Sequence, residues 1–219
     1  MKINTDGVLL GAITQADDPE TILDIGTGTG VIALMLAQQF TNAHIDAVEI
    51  DESAAKTAGR NFENSIFYDR LKIYSSGIGT FFEEYPGIKF DLIVSNPPFY
   101  INSLESPKEK KSLAKHTEAN FFEELLKDIA GHLSEKGACW LVLPLDTASL
   151  VTGLIRQNGM RLQKALNIHS YPYSAAHRVV LHFGFKDVSP EISKLTIYNE
   201  VGVYSDEYKN LLKPYFLAF

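Results

Sequence analysis

The run Gly26-Thr27-Gly28-Thr29-Gly30 constrains this chain more than any other stretch of its 219 residues. Three glycines at alternate positions let the backbone turn tightly and approach a ligand closely, because no Cβ intrudes. A short β-biased run at residues 21–24 precedes them, and apolar residues at helical spacing follow over residues 31–40. Strand, glycine turn and helix open an α/β sheet, and the amides at the helix start face whatever the turn approaches.

The same alternation continues along the chain. It predicts strands at 44–49, 71–74 and 90–95, the last apolar through its middle as a strand covered on both faces is. Helices are expected from Asp51, capped by Asp51 or Ser53, to about residue 64, and from 117 to 133, closed by Gly137. A strand at 138–143 leads to a helix capped by Asp146 or Thr147 that runs to about residue 157. Residues 161–169 and 177–185 alternate as an antiparallel pair. Together these predict a single α/β domain over residues 1–219, a mostly parallel sheet with helices on both faces and the loops after its strands gathered at the carboxyl edge. Three segments stand apart: residues 1–17 with an amphipathic helix near 8–15, a polar loop at 102–116, and a tail at 205–219 with a short helix and an aromatic end.

Composition narrows the function. With 27 acidic against 20 basic residues the net charge is -7, which excludes a polyanion binder that relies on its whole surface and leaves room only for a local basic patch. No 18-residue uncharged apolar run and no signal-like amino terminus are present, so the expectation is a cytoplasmic protein without a membrane partner. The single cysteine, Cys139, lies in an apolar strand and reads as core. The six histidines never recur as H-x-x-x-H, so no metal site is expected.

Chemistry gathers at two strand ends. A dinucleotide fingerprint places its third glycine five residues after the first, and here the interval is four. Glu49 ends the second strand, where its carboxylate suits a ribose diol and would repel a phosphate. Asp24, just before the glycines, is suited to organise the loop or to meet a ligand ammonium through water. This set favours S-adenosylmethionine, which carries adenosine and a charged amino-acid end without a pyrophosphate.

The fourth strand is followed by Asn96-Pro97-Pro98-Phe99. Two prolines make a rigid extended clamp. The Asn96 side-chain oxygen and the Pro97 carbonyl are placed to accept both hydrogens of a planar amino group, and Phe99 to stack on the plane that carries it. Asn96 has no useful basicity, so it orients and polarises.

Beyond these residues, Thr5-Asp6-Gly7-Val8-Leu9-Leu10-Gly11-Ala12, Asp24 to Gly30, Ala47-Val48-Glu49-Ile50-Asp51, Asn96-Pro97-Pro98-Phe99-Tyr100 and Leu195-Thr196-Ile197-Tyr198 together carry a family resemblance. The chain resembles class I S-adenosylmethionine-dependent methyltransferases that modify amino groups, and among them the bacterial enzymes that N6-methylate adenine 37 of valine tRNA. The resemblance implies a Rossmann-like methyltransferase fold, a seven-stranded sheet with an antiparallel final strand, and a tRNA anticodon loop as substrate. It puts Thr5 and Asp6 over the cofactor pocket and adds Ile50 to Glu49. Ser76 stands where related enzymes often hold the cofactor's adenine amino group with an acidic residue, which leaves that contact to a hydroxyl, a water or backbone. Pro98, Tyr100, Arg178 and the lysines Lys108, Lys110, Lys111 and Lys115 are the substrate-side candidates, with no obligate protein partner. The alternatives are a protein-glutamine methyltransferase, another RNA or DNA adenine methyltransferase, or a non-catalytic RNA-binding protein that kept the fold.

Overall fold

The computed structural model describes residues 5–97 and 108–217, with the side chains of residues 108–116 outside that description. Helix α1 (Thr5–Ile13) precedes β1 (Thr21–Ile25), α2 (Val31–Gln39), β2 (His44–Glu49), α3 (Glu52–Glu63), β3 (Leu71–Ser75), α4 (Ile78–Glu84) and β4 (Phe90–Ser95). Then come α5 (Lys108–His132), β5 (Leu133–Leu143), α6 (Leu145–Gln157), β6 (Arg161–His169), β7 (Ala176–Gly184), β8 (Glu191–Thr196), the short hairpin of β9 (Tyr198–Glu200) and β10 (Val203–Tyr204), and α7 (Asp206–Leu212).

Side chains alternate across a strand, and here both faces are buried. Ile22, Leu92, Val94, Trp140 and Val142 join one core with Leu10, Leu36, Phe62 and Tyr208, while Leu23, Ile93, Cys139 and Leu141 join the other with Phe81, Leu126, Ile129 and Phe183. Strands β1 to β5 run parallel, and β7 is antiparallel to its neighbours β5 and β6. The full order is β3-β2-β1-β4-β5-β7-β6-β8.

That sheet has eight strands where seven were expected, and the antiparallel strand is not the last. Strand β8 lies at the edge, parallel to β6, with Glu191, Ile192 and Lys194 exposed, so its sequence lacks a clear alternation. Helix α1 spans Thr5–Ile13 and is not amphipathic, because α2, β5 and α7 pack around it and bury Gly7, Val8, Leu9, Leu10, Gly11 and Ile13. The expected polar loop gives way to helix from Lys108, where Pro107 precedes a run of strong helix formers. Gly137 does not end α5; it lies within β5, where a Cβ would stand 2.9 Å from the Phe90 carbonyl oxygen. Asp51 caps α3 by accepting from the Ala54 amide at 2.7 Å. Neither Asp146 nor Thr147 caps α6, whose N-cap is Pro144, and the Thr147 hydroxyl instead donates to Glu118 at 2.8 Å. Helix α4 has no counterpart in the sequence reading.

The join between β1 and α2 depends on Gly30, which has φ 87° and packs so closely on α3 that a Cβ would lie 2.5 Å from Phe62 Cε1. Gly30→Ala therefore meets both a left-handed backbone and an overpacked contact and should cost about 2–4 kcal/mol. A urea unfolding midpoint equal to the parent's would show that the turn is not held as described.

Candidate active site

Ile25 is in register with Val48 of β2 and Ser95 of β4, so the ends of three parallel strands meet at the carboxyl edge of the sheet. The chain leaves β1 through Gly26 at φ 70°, Gly28 at φ 61° and Gly30 at φ 87°, a conformation that glycine adopts without a Cβ penalty. The Gly26 and Thr27 amides both donate to the Val48 carbonyl, at 2.8 and 3.2 Å, which folds the loop over the end of β2. Nothing lies within 4 Å of where a Gly26 Cβ would stand, so this part of the loop faces open space.

Asp24 is fully buried beneath the loop. Its Oδ2 accepts from the Thr27 hydroxyl at 2.5 Å and from the Ala33 amide in the first turn of α2 at 3.1 Å. Its Oδ1 is buried and has no hydrogen-bond partner. Burial raises the carboxyl's pKa to about 7 despite those two bonds, and the Glu49 charge adds to the rise. Glu49 accepts from the Gly28 amide at 2.8 Å with Oε2 and from the Asp51 amide at 2.9 Å with Oε1. One carboxylate therefore ties the glycine loop to the start of α3. Ile50, beside it, is 78% exposed at the rim. The Ser76 amide donates to the Glu49 carbonyl at 3.0 Å, and its hydroxyl donates to the Gly77 carbonyl at 3.0 Å.

Asn96 follows β4 with its Oδ1 buried, and Pro97 is buried after it. The Ser95 hydroxyl donates to the Ile25 carbonyl at 2.8 Å, locking the end of β4 to the start of the glycine loop. Pro98, Phe99 and Tyr100 lie outside the described residues, as do the side chains of Lys108, Lys110, Lys111 and Lys115, whose backbone forms the first turns of α5. Thr5 and Asp6 open α1, with Thr5 exposed. The Asp6 carboxylate is engaged by Arg178 Nε at 2.8 Å, joining α1 to the start of β7. A structural ion pair thus unites two residues assigned separately to cofactor and substrate. The sequence also gives no direct sign of Thr27 and Ser95 as supports, since each acts through a partner that only folding brings near.

A cavity of about 1070 Å³ opens at the opposite edge of the sheet, lined by Gln15, Asp91, Trp140 and Lys186 among others. It adjoins strand beginnings and holds none of the residues just described, so the carboxyl edge remains the candidate site. Among the described residues, no helix is long and apolar enough to cross a membrane, and no group of three or more His, Cys, Asp or Glu is placed to hold a metal ion.

The elevated Asp24 pKa fixes a sign. The folded protein keeps this proton up to about pH 7, whereas a carboxyl at the ordinary value of 3.8 releases it earlier, so ionisation of Asp24 erodes stability as pH rises through that window. Asp24→Asn is neutral throughout and should gain on the parent in urea midpoint as pH rises from about 4 to about 8. Parallel pH profiles for the two proteins would contradict the buried, proton-holding carboxyl.

The model of the family described as "Methyltransferase small domain" matches residues 5–152. A tRNA1(Val) (adenine(37)-N6)-methyltransferase from Pedobacter heparinus is 47% identical over 220 residues, covering 100% of this chain and 92% of the relative. Its counterpart from Parabacteroides distasonis is 37% identical, covering 99% of this chain and 91% of the relative. Among solved structures, a protein described as a predicted O-methyltransferase from Agrobacterium tumefaciens superposes with a TM-score of 0.71 at 18% identity, covering 95% of this chain and 96% of that one. A ribosomal protein L11 methylase from Lactobacillus delbrueckii superposes with a TM-score of 0.59 at 18% identity, covering 83% and 78%. These last two likenesses show the Rossmann-like methyltransferase fold. With the glycine loop, Glu49 and Asn96 gathered at one sheet edge, and with such identity along its whole length, the chain belongs to the tRNA1(Val) (adenine(37)-N6)-methyltransferase family.

Proposed function

We propose that this protein transfers a methyl group from S-adenosylmethionine to N6 of an adenine in tRNA, adenine 37 of a valine tRNA. The observation that carries the reading is the register of β1 with β4: Ser95 pairs with Ile25, so Asn96 begins beside Gly26. A cofactor loop and an amino-group clamp thus stand about one strand spacing, ~4.8 Å, apart. The identity to relatives that carry this activity in their names supports the choice of substrate.

The residues at the edge fit the cofactor. The open space over Gly26 leaves room for its polar end, and an ammonium brought near Asp24 would favour the ionised carboxylate there. Glu49, already held by two backbone amides, retains lone pairs for ribose hydroxyls, and Ile50 offers an apolar rim for a base. When bound, S-adenosylmethionine supplies an electrophilic methyl on a sulfonium.

Asn96 and Pro97 do the positioning. The amide oxygen and the Pro97 carbonyl take the two N6 hydrogens, which bends the nitrogen toward tetrahedral geometry and withdraws its lone pair from the ring for attack. The cofactor held by the glycine loop and Glu49 would supply the methyl carbon to N6, leaving its sulfur as a neutral thioether, and N6, held by Asn96 and Pro97, would give up a proton to solvent. Acceptors fixed before reaction stabilise the positive charge that develops on nitrogen without reorganising. Phe99 is the proposed stacking partner for the adenine, and Lys108, Lys110, Lys111 and Lys115 are proposed to meet phosphates that the net charge of -7 would otherwise repel. A cytoplasmic location is part of this proposal, supported by the proposed tRNA substrate.

Incubating the protein with methyl-labelled cofactor and unmodified tRNA, followed by nucleoside analysis, should yield labelled N6-methyladenosine. Label found in protein and absent from RNA would overturn the reading. Asn96→Ala should lower kcat by about 100-fold or more while changing cofactor affinity little. Equal losses in both would remove Asn96 from the acceptor role.

A further inference from the structure

Five tyrosines form one continuous ladder at the carboxyl edge of the sheet. It rises from Tyr208, 7% exposed in α7, through Tyr204 at 5.0 Å between ring centroids and Tyr198 at 4.8 Å, both stacked. Tyr171 continues it at 5.7 Å in a tilted contact, and Tyr173 ends it at 5.4 Å, with the last two rings only 5° from parallel. Tyr173 is 80% exposed. The ladder is anchored in the core at one end and presents an aromatic ring to solvent at the other.

Its outer end is held firmly. Tyr171 to Ser174 make a turn closed by the Ser174 amide on the Tyr171 carbonyl at 3.0 Å, with Pro172 and Tyr173 at the corner. The Tyr171 amide donates to the Ser174 hydroxyl at 3.0 Å, and His169 Nδ1 donates to the Ser174 carbonyl at 2.8 Å. An exposed tyrosine on such a turn has its orientation fixed before any ligand arrives, so ordering it costs little on binding.

Two further features say what the face suits. Residues 169–178, His-Ser-Tyr-Pro-Tyr-Ser-Ala-Ala-His-Arg, contain no carboxylate although the chain has an excess of seven acidic residues, and the Asp6 carboxylate that reaches this segment is paired with Arg178, so the turn adds no acidic charge of its own. The turn joins β6 to β7, and β5 alone separates β7 from β4. At ~4.8 Å per strand the turn stands ~10–14 Å across the sheet edge from Asn96, within reach of the nucleotide adjacent to one that is turned out of its stack.

We propose that Tyr173, backed by Tyr171, is a stacking platform for a loop nucleotide next to the adenine that Asn96 receives. This rests on the tRNA reading and specifies how the enzyme grips an unstacked loop: one base is turned into the clamp, and a neighbour that lost its stacking partner finds a new one on Tyr173. The interaction uses the ring face and needs no hydroxyl.

The test compares the wild type, Tyr173→Ala and Tyr173→Phe on an unmodified valine-tRNA anticodon stem-loop and on loops with an abasic nucleotide on either side of the target adenine. Tyr173→Ala should raise KM for the intact loop by about 5- to 100-fold with kcat nearly unchanged, and Tyr173→Phe should match the wild type. One of the two abasic loops should bring wild type and Tyr173→Ala to equal KM. If Tyr173→Ala equals the wild type on the intact loop, or if its penalty persists in full on both abasic loops, the platform is refuted while the methyl-transfer reading stands. Failure of the wild type to methylate either the intact loop or full tRNA would refute that parent reading, and the platform with it.

Discussion

A buried carboxylate at the end of β1 is the constraint on which the site depends. Asp24 binds Thr27 within the glycine loop and Ala33 at the start of α2, so it fixes both the turn and the direction in which the helix leaves. Burying this group without full compensation is unfavourable, as its raised pKa records. The unpartnered Oδ1 shows where the compensation is incomplete.

From that anchor the rest follows by register. The Val48 carbonyl receives the loop amides, Glu49 reaches back to Gly28, and Ser95 ties β4 to Ile25. Hydrogen bonds of the parallel sheet thus set the spacing between donor and acceptor ends, leaving little for flexible side chains to decide. The proposed chemistry uses this rigidity: Asn96 contributes no base, and what it offers is an acceptor fixed in place before the substrate arrives.

How far the sequence revealed this can be traced residue by residue. Gly26, Gly28, Gly30 and Glu49 were legible because a turn and a strand end confine them locally, and Asp51 was legible as a cap for the same reason. Strand β4 showed through its apolar middle. Contacts between distant parts of the chain were not legible: Asp6 and Arg178 lie 172 residues apart, and no local pattern announces their pairing. Edge strand β8 escaped because its exposed residues break the alternation. Helix α1 read as amphipathic although packing on several sides buries most of it, and Gly137 read as a helix stop although it serves a close approach between β5 and β4. In each case tertiary contact overrode a local signal.

The central claim is that the carboxyl edge, and not the cavity at the amino edge, binds the adenosyl cofactor. Backbone-amide NMR during titration with S-adenosylhomocysteine tests it most directly. Saturable shifts should concentrate at Gly26, Gly28, Ile50 and Ser76. Shifts confined to residues 15–20, Lys136 and Lys186 around the opposite cavity, with the glycine loop unmoved, would contradict the account.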